Sequence, residues 1–356
     1  MKIFISGICG FVGSSIARAL RQTEPSLQIT GIDNFSRPGS ELNREPLRAF
    51  GVRVLHADVR AASDLDTIGH VDWIIDAAAN PSVLAGVDGA TSSRQIIEHN
   101  LYGTVNLLEL AKRHGAGFIL LSTSRVYSIP ALAELPLRME GEAFRLRTDG
   151  ELPPGVSPAG VTEEFSTKPP VSLYGSTKLA SEYLALEMGS AFDFPVWIDR
   201  CGVLAGAGQF GRADQGIFTF WINAYLRQRP LRYIGFDGTG AQVRDCLHPA
   251  DLAALLWKQM NAGQQKIERV VNVSAGARSA MSLAELSSWC SERFASRVIE
   301  SDKAPRLFDL PWVVLDSTRA GELWNWQPQI SRDEILQEIA QHAERHPHWL
   351  EISTPA

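Results

Sequence analysis

The chain has 356 residues, enough for a large core and about two domains. Hydrophobic residues make up 45% and charged residues 21%, an ordinary globular balance, and a net charge of −6 with no basic run argues against a nucleic-acid partner. No apolar stretch approaches the ~18 residues of a membrane-spanning helix, Met1-Lys2 leads into a strand with no signal sequence before it, and Cys9, Cys201, Cys246 and Cys290 stand apart as free thiols, so a cytoplasmic protein is expected.

Lys2 to Ser6 (KIFIS) reads as a strand, SGICGFVG as a glycine turn, and Ser14 to Gln22 as a helix with Ile16, Ala19 and Leu20 at helical spacing. Further strands follow at LQITGID, ending on Asp33, and at VRVLHAD (52–58), VDWIIDAAA (71–79), GFILLSTS (117–124) and FPVWIDRC (194–201). Helical stretches lie between them, such as Gln95 to His114 with Leu101, Val105, Leu108 and Ala111 on one face. Alternation of this kind gives βαβ units, and runs as apolar as WIIDAAA suit a parallel sheet buried on both faces. The proline- and glycine-rich segment 128–171 reads as a long loop, a lid or pocket wall. After residue 201 the rhythm loosens into short strands and tryptophan-rich helices. The expected fold is α/β, a Rossmann-type doubly wound parallel sheet with a smaller α/β C-terminal substrate domain. Its expected boundaries are 1–200 for the dinucleotide-binding part, with 242–275 returning to it, and 201–241 plus 276–356 for the substrate part.

Gly7, Gly10 and Gly13 sit between the first strand and its helix, where a backbone can approach a pyrophosphate and helix amides can bind it. Tight turns use glycines too, and the spacing is G-x-x-G-x-x-G rather than G-x-G-x-x-G. Asp33 lies 20 residues after Gly13. A carboxylate there accepts from the adenosine ribose hydroxyls and repels a 2′-phosphate, which favours NAD over NADP; Arg37 nearby works against that preference. Asp58 ends the third strand, either at the adenine edge or as a solvated loop carboxylate.

Tyr174 and Lys178, in Y-G-S-T-K, share one face of a helix. A tyrosine hydroxyl has a pKa of about 10, and a lysine ammonium with the positive nicotinamide ring nearby would lower it, making a base for an alcohol proton. Thr123, at the end of the strand before it, is the candidate to hold the reacting oxygen, with Ser122 and Ser124 as competitors. The histidines form no metal pattern, so no metal is predicted. His342, His346 and His348 read as solvated surface, and Trp221, Trp257, Trp289, Trp312, Trp324 and Trp326 as core or interface.

Together the glycine turn with Asp33, the strand end STSRVY and Y-x-x-x-K resemble the extended short-chain dehydrogenase/reductase family, chiefly NAD-dependent sugar-nucleotide epimerases and dehydratases. The likeness covers nearly the whole chain. AAANPS (77–82) resembles the segment beneath the cofactor, HNLYGTVNLLE (99–109) the next helix, where Asn100 plays a structural part, and QVRDCLHPAD (242–251) the segment whose arginine, here Arg244, binds the nucleotide diphosphate. The resemblance implies NAD held by Gly7, Gly10, Phe11, Val12 and Gly13, by Asp33, Asn34, Asp58 and Val59, and by Ala77, Ala78, Ala79, Asn100, Ser122 and Arg200. It implies a catalytic set of Thr123, Tyr174 and Lys178, the last two also touching NAD, and substrate contacts from Thr123, Gln209, Asp214, Gln215 and Arg244.

Within the family, RCGVLAGAGQFGRADQG (200–216), QVRDCLH and the long insert resemble CDP-paratose (CDP-tyvelose) 2-epimerases. This implies oxidation of a sugar carbinol by bound NAD and return of the hydride to the other face. It also implies a homodimer built through helices 95–114 and 174–192. The 4,6-dehydratases carry T-D-E at the strand end, whereas here the run is Thr123-Ser124-Arg125, with no acid to protonate a leaving hydroxyl. Departures remain: Val203 replaces a diphosphate-binding asparagine, Ser128 follows Tyr127 in place of glycine, and DAAAN lacks the usual histidine. They leave the base and sugar of the substrate open. A net sugar-nucleotide reductase or dehydrogenase would require added NAD(P)H; a silent dinucleotide sensor is disfavoured by the retention of Tyr174 and Lys178.

Overall fold

Seven short apolar runs set the frame. A computed structural model describes residues 1–87, 89, 92–213, 215–262 and 267–353. In it those runs are β1 (Lys2–Ser6), β2 (Gln28–Asp33), β3 (Arg53–His56), β4 (Trp73–Asp76), β5 (Gly117–Thr123), β6 (Val196–Cys201) and β7 (Val270–Val273). They form one parallel sheet in the order β7-β6-β5-β4-β1-β2-β3. Every residue of β4, β5 and β6 is buried, as their unbroken apolar character requires.

Four helices cover the sheet: α1 (Phe11–Thr23), α2 (Gly103–His114), α3 (Ser172–Ala191) and α4 (Pro249–Met260). Ile16 and Leu20 of α1 and Leu252 and Leu256 of α4 pack with Ile3 and Ile5 on one face. Leu107, Leu108 and Ala111 of α2 and Ala185 of α3 pack with Phe4 and Phe118 on the other. Each such leucine contributes roughly 1.5–3 kcal/mol by leaving water. This is the doubly wound α/β fold. Its strand order reverses between β1 and β4, and there the carboxyl ends open a crevice.

The helix expected over 95–114 is broken into Ser93–Ile97, a π turn over Glu98–Tyr102, and α2. The widened turn rotates the helix face. Asn100 is thereby buried, and Leu101 and Val105 are left only partly covered.

Segment 128–171 is not the structureless loop expected. It carries a helix (Ile129–Ala133), a hairpin (Leu137–Glu140 with Ala143–Leu146) and a second short antiparallel pair (Val156–Ser157 with Gly160–Val161). Leu132, Leu135, Val161 and Phe165 share a core with Leu310 to Leu315. The insert is also tied to β7, where Glu163 Oε1 accepts the Asn272 N–H at 2.7 Å. Asn272 Oδ1 accepts the Tyr127 hydroxyl at 2.6 Å beside it. A separate core of Trp221, Ile222, Tyr225, Leu286, Ile335 and Ile339 lies in the C-terminal part. The four cysteines are buried free thiols. Among the described residues no helix is long and apolar enough to cross a membrane.

Candidate active site

The crevice begins with a turn that only glycine makes easily. Gly7 leaves β1 at φ 61°, and a Cβ on Gly13 would stand 2.3 Å from the Gly7 carbonyl oxygen. The tight loop delivers the N-terminus of α1, whose first turn has no acidic residue, to the crevice. Gly7, Gly10, Phe11, Val12 and Gly13 line one cleft with Asp33, Asn34, Asp58, Val59 and Ala77 to Ala79. Ser6 fixes the alanine wall: its hydroxyl donates to Asp76 Oδ1 at 2.8 Å and accepts the N–H groups of Ala77 and Ala78 at 3.0 and 2.9 Å.

Asp33 is buried beside the glycine loop. It accepts the N–H groups of Cys9 (2.9 Å) and Phe35 (2.8 Å). Burial raises its pKa and those N–H groups oppose the rise. Asp58 also lines the cleft, but its carboxylate is engaged by the Arg60 guanidinium at 2.6–3.1 Å and by Asn34 Nδ2 at 3.0 Å. The Arg60 bonds hold it well below the usual carboxylate range. A glycine cradle, a small-residue wall and an anchored acid suit a dinucleotide: amides for the pyrophosphate, Asp33 for the ribose.

Gln209 and Gln215, expected at the substrate, line this same cleft instead. The chain around them folds back over it because Arg37 donates to Gln215 Oε1 at 2.5 Å and to the Phe210 carbonyl. Behind the loop, Trp349 stacks on Phe210 with ring centroids 5.3 Å apart and donates its indole N–H to the Gln209 carbonyl at 2.8 Å. Ser353 Oγ donates to the Gly211 carbonyl at 3.0 Å. In the tail expected as solvated surface, His346 and His348 are indeed exposed, but its end is an anchor: Trp349 is 7% exposed, and burial, with help from His346, pushes the His342 imidazole down to about 4. Asp214 lies outside the described residues.

Tyr174 stands in the first turn of α3, where Ser172 Oγ accepts the Gly175 N–H at 3.1 Å. Gly175 is required because a Cβ there would come 2.2 Å from the Arg125 carbonyl oxygen. The packing draws α3 onto the end of β5, where the Thr123 hydroxyl lies close enough to the Tyr174 phenol to act on it. Burial pushes the tyrosine up to about 12, against the pull of Thr123 and Arg125. Lys178, the expected stabiliser of the phenolate, lies one turn deeper. Burial lowers its pKa, and its opposing partners are Asp76, Cys201 and Glu182 rather than Tyr174.

A family model described as the NAD dependent epimerase/dehydratase family matches residues 3–274. The chain belongs to that family. Its dinucleotide is accordingly NAD. Among curated relatives, the chain is similar to the CDP-paratose 2-epimerase of Salmonella typhi, at 27% identity over 95% of this chain and 98% of that one. It is similar to the UDP-glucuronate 4-epimerase of Thermodesulfobacterium geofontis at 24% identity over 93% of each. Among solved structures, that of UDP-glucuronic acid 4-epimerase from Bacillus cereus, in complex with UDP-glucuronic acid and NAD, superposes with a TM-score of 0.77 at 22% identity. It covers 97% of this chain and 99% of that one, which shows the shared fold.

Several residues assigned to NAD in this epimerase/dehydratase chain are engaged elsewhere. Ser122 Oγ donates to Glu182 Oε1 at 2.5 Å, so it is no competitor for the reacting oxygen. Arg200 forms a buried pair with the same Glu182 at 2.6 Å and reaches the Glu163 carbonyl at 3.3 Å. Asn100 spends its amide on the Asn80 backbone (2.8 and 3.0 Å) and on Thr177. All three brace the site rather than line the cleft. Arg244 pairs with Asp309 at 3.2 Å and donates to the Leu310 carbonyl at 2.8 Å. Arg125 and Arg306 lie close enough to act on it and on each other, which forms a cationic corner beside Tyr174. Arg306 and Asp309 went unread in the sequence, as did Phe210 in the cleft, and Arg125 was read only as standing where the dehydratases carry an acid. An arginine three residues before an aspartate, Arg306-Leu-Phe-Asp309, was the one available signal.

Proposed function

We propose that the protein is an NAD-dependent epimerase of a nucleotide-diphosphate sugar, of the 2-epimerase type. The observation that carries this reading is the Thr123–Tyr174 hydroxyl pair followed by Ser124 and Arg125, a strand end that supplies hydroxyls and a cation but no carboxylic acid. Dehydration needs an acid for the leaving hydroxyl; epimerisation through a ketone does not. NAD, when bound, accepts the hydride and gives it back. Tyr174 would act as the phenolate, a form that the positive ring of bound NAD would favour; its oxygen takes the carbinol proton while Thr123 holds the same substrate oxygen, and the resulting phenol returns that proton after the ketone has turned its other face. Arg244, with Arg306, holds the diphosphate by charge-assisted bonds. Gln209, Phe210 and Gln215 line the dinucleotide cleft from the far side, which suits a cofactor that stays bound through the cycle.

The substrate-binding part is proposed to comprise 201–241 and 276–356, on a sheet part of 1–200 with 242–275. Exposed Ile97, Tyr102, Tyr183 and Leu184 on neighbouring helices support a homodimer through that face. The test is turnover of CDP-paratose and UDP-glucose by purified protein with no cofactor added. Epimerised product with NAD still bound is expected, and Tyr174→Phe should abolish it while retaining NAD. A strict requirement for stoichiometric NAD(P)H would overturn the proposal in favour of a net reductase.

A further inference from the structure

Arg125 stands beside the catalytic hydroxyls, its backbone N–H donating to Thr123 Oγ1 at 3.2 Å and its charge acting on the Tyr174 phenol, yet the mechanism above gives it no role. Its backbone is fixed against α3, since the Arg125 carbonyl occupies the space a Gly175 side chain would need. Its guanidinium donates Nη1 to the Phe308 carbonyl at 3.3 Å. Arg244 takes the next two residues of the same segment, Asp309 Oδ1 at 3.2 Å and the Leu310 carbonyl at 2.8 Å. Phe308 to Leu310 thus sets two guanidinium groups side by side, with Arg125 on the Tyr174 side. Arg125 is partly buried, and the Phe308 carbonyl accepts one of its five N–H donors. Burial lowers its pKa to about 10; Arg244 and Arg306 push the same way, while Asp309 and the Tyr174 phenol hold it up.

In a nucleotide-diphosphate sugar the β-phosphate is esterified to the anomeric carbon. The neighbouring ring carbinol is C2; C4 lies across the ring. A diphosphate held by Arg244 and Arg306 alone would leave the orientation of the ring toward Tyr174 unset. A further cation between diphosphate and phenol changes that.

Resting on the nucleotide-sugar reading above, we propose that Arg125 binds the β-phosphate from the Tyr174 side and so presents the C2 carbinol to the catalytic hydroxyls. The same placement puts a positive charge between the phosphate and the oxygen that gives up its proton, where two negative charges would otherwise face each other in a site of low dielectric. An arginine serves this better than a lysine, because its planar fork can span two phosphate oxygens.

The test uses NAD-loaded protein and titrates CDP against CMP, UDP against UMP, and dTDP against dTMP by calorimetry, for wild type, Arg125→Met and Arg125→Lys. For whichever base binds, Arg125→Met should weaken the diphosphate about ten- to hundredfold, change the monophosphate by less than about twofold, and be partly rescued by lysine. CDP-paratose deuterated at C2 should slow the transient reduction of bound NAD seen at 340 nm; deuterium at C4 should not. Equal diphosphate affinity in Arg125→Met, or equal loss for the monophosphate, overturns the role of Arg125 and leaves the epimerase reading standing. An isotope effect at C4 alone removes the C2 assignment. Failure of every diphosphate to bind wild type defeats the nucleotide-sugar reading itself. Should Arg125→Met fail to retain NAD, Arg125→Gln, of similar reach and no charge, is read by the same diphosphate-to-monophosphate ratio.

Discussion

Replacing Trp349 by alanine should loosen NAD without touching it. The indole does not line the cleft; it stacks on Phe210 and donates to the Gln209 carbonyl, holding the loop that does. The stack contributes about 0.5–1.5 kcal/mol and the hydrogen bond about 1 kcal/mol. Loss of both weakens loop closure by roughly 2 kcal/mol, so the open population rises roughly thirtyfold. If NAD leaves only from the open form, its dissociation rate rises by the same factor. Trp349→Phe keeps the stack and loses the N–H, and should show about fivefold. The assay is gel filtration of loaded protein followed by measurement of NAD in the protein peak over time. Truncating a buried tryptophan also costs the fold about 3–5 kcal/mol, so circular dichroism must first show the variant folded at the assay temperature. A folded Trp349→Ala protein that keeps NAD as long as wild type would refute the loop as a gate.

Other expectations follow from buried groups. Asp199 lies wholly inside β6, with one oxygen accepting from Gln259 and the other without a partner among the described residues, and burial pushes its carboxyl up to about 7. Its folded-state pKa is thus raised above the unfolded value of about 4, so its contribution is full below about pH 4 and is lost as pH rises toward 7, on the order of 4 kcal/mol in all. Asp199→Asn should therefore gain on wild type in melting temperature between pH 4 and pH 8; parallel pH curves would count against this. Glu182→Gln leaves Arg200 buried beside a neutral amide and should cost about 3–5 kcal/mol in urea unfolding, with a loss under about 1 kcal/mol showing the pair to be dispensable. Gly13→Ala presses a methyl against the Gly7 carbonyl, an overpacking of about 1–3 kcal/mol, and should leave folded protein with at least about tenfold weaker NAD binding; undiminished NAD content would contradict the cradle.

What was legible in the sequence is what depends on near neighbours. Alternating apolar runs revealed the parallel sheet, the glycines and Asp33 lay within one βαβ unit, and Tyr174 and Lys178 are one helical turn apart. Long-range pairings were not legible. Ser122 and Arg200 carry no mark of Glu182, which captures both across α3, and nothing near Gln209 announces an indole 140 residues later. The insert misled because prolines and glycines signal turns without saying whether hairpins lie between them. The π turn at Glu98–Tyr102 misled because a single widened turn leaves the hydrophobic period almost unchanged while rotating what it faces.

The fastening of the insert has a further consequence. Residues 128–171 are pinned both to β7, through Tyr127, Glu163 and Asn272, and to the strip Leu310–Leu315, which continues from the residues holding Arg125 and Arg244. Those ties hold the wall against the sheet and the strip. In the proposed reaction a ring must show both faces to one hydride donor while its diphosphate stays tethered, so the turning has to be done by the sugar inside a rigid cage. Such a site would choose its sugars by the volume a ring sweeps as it pivots, and a bulky substituent could be excluded even when both the starting and the inverted sugar fit at rest.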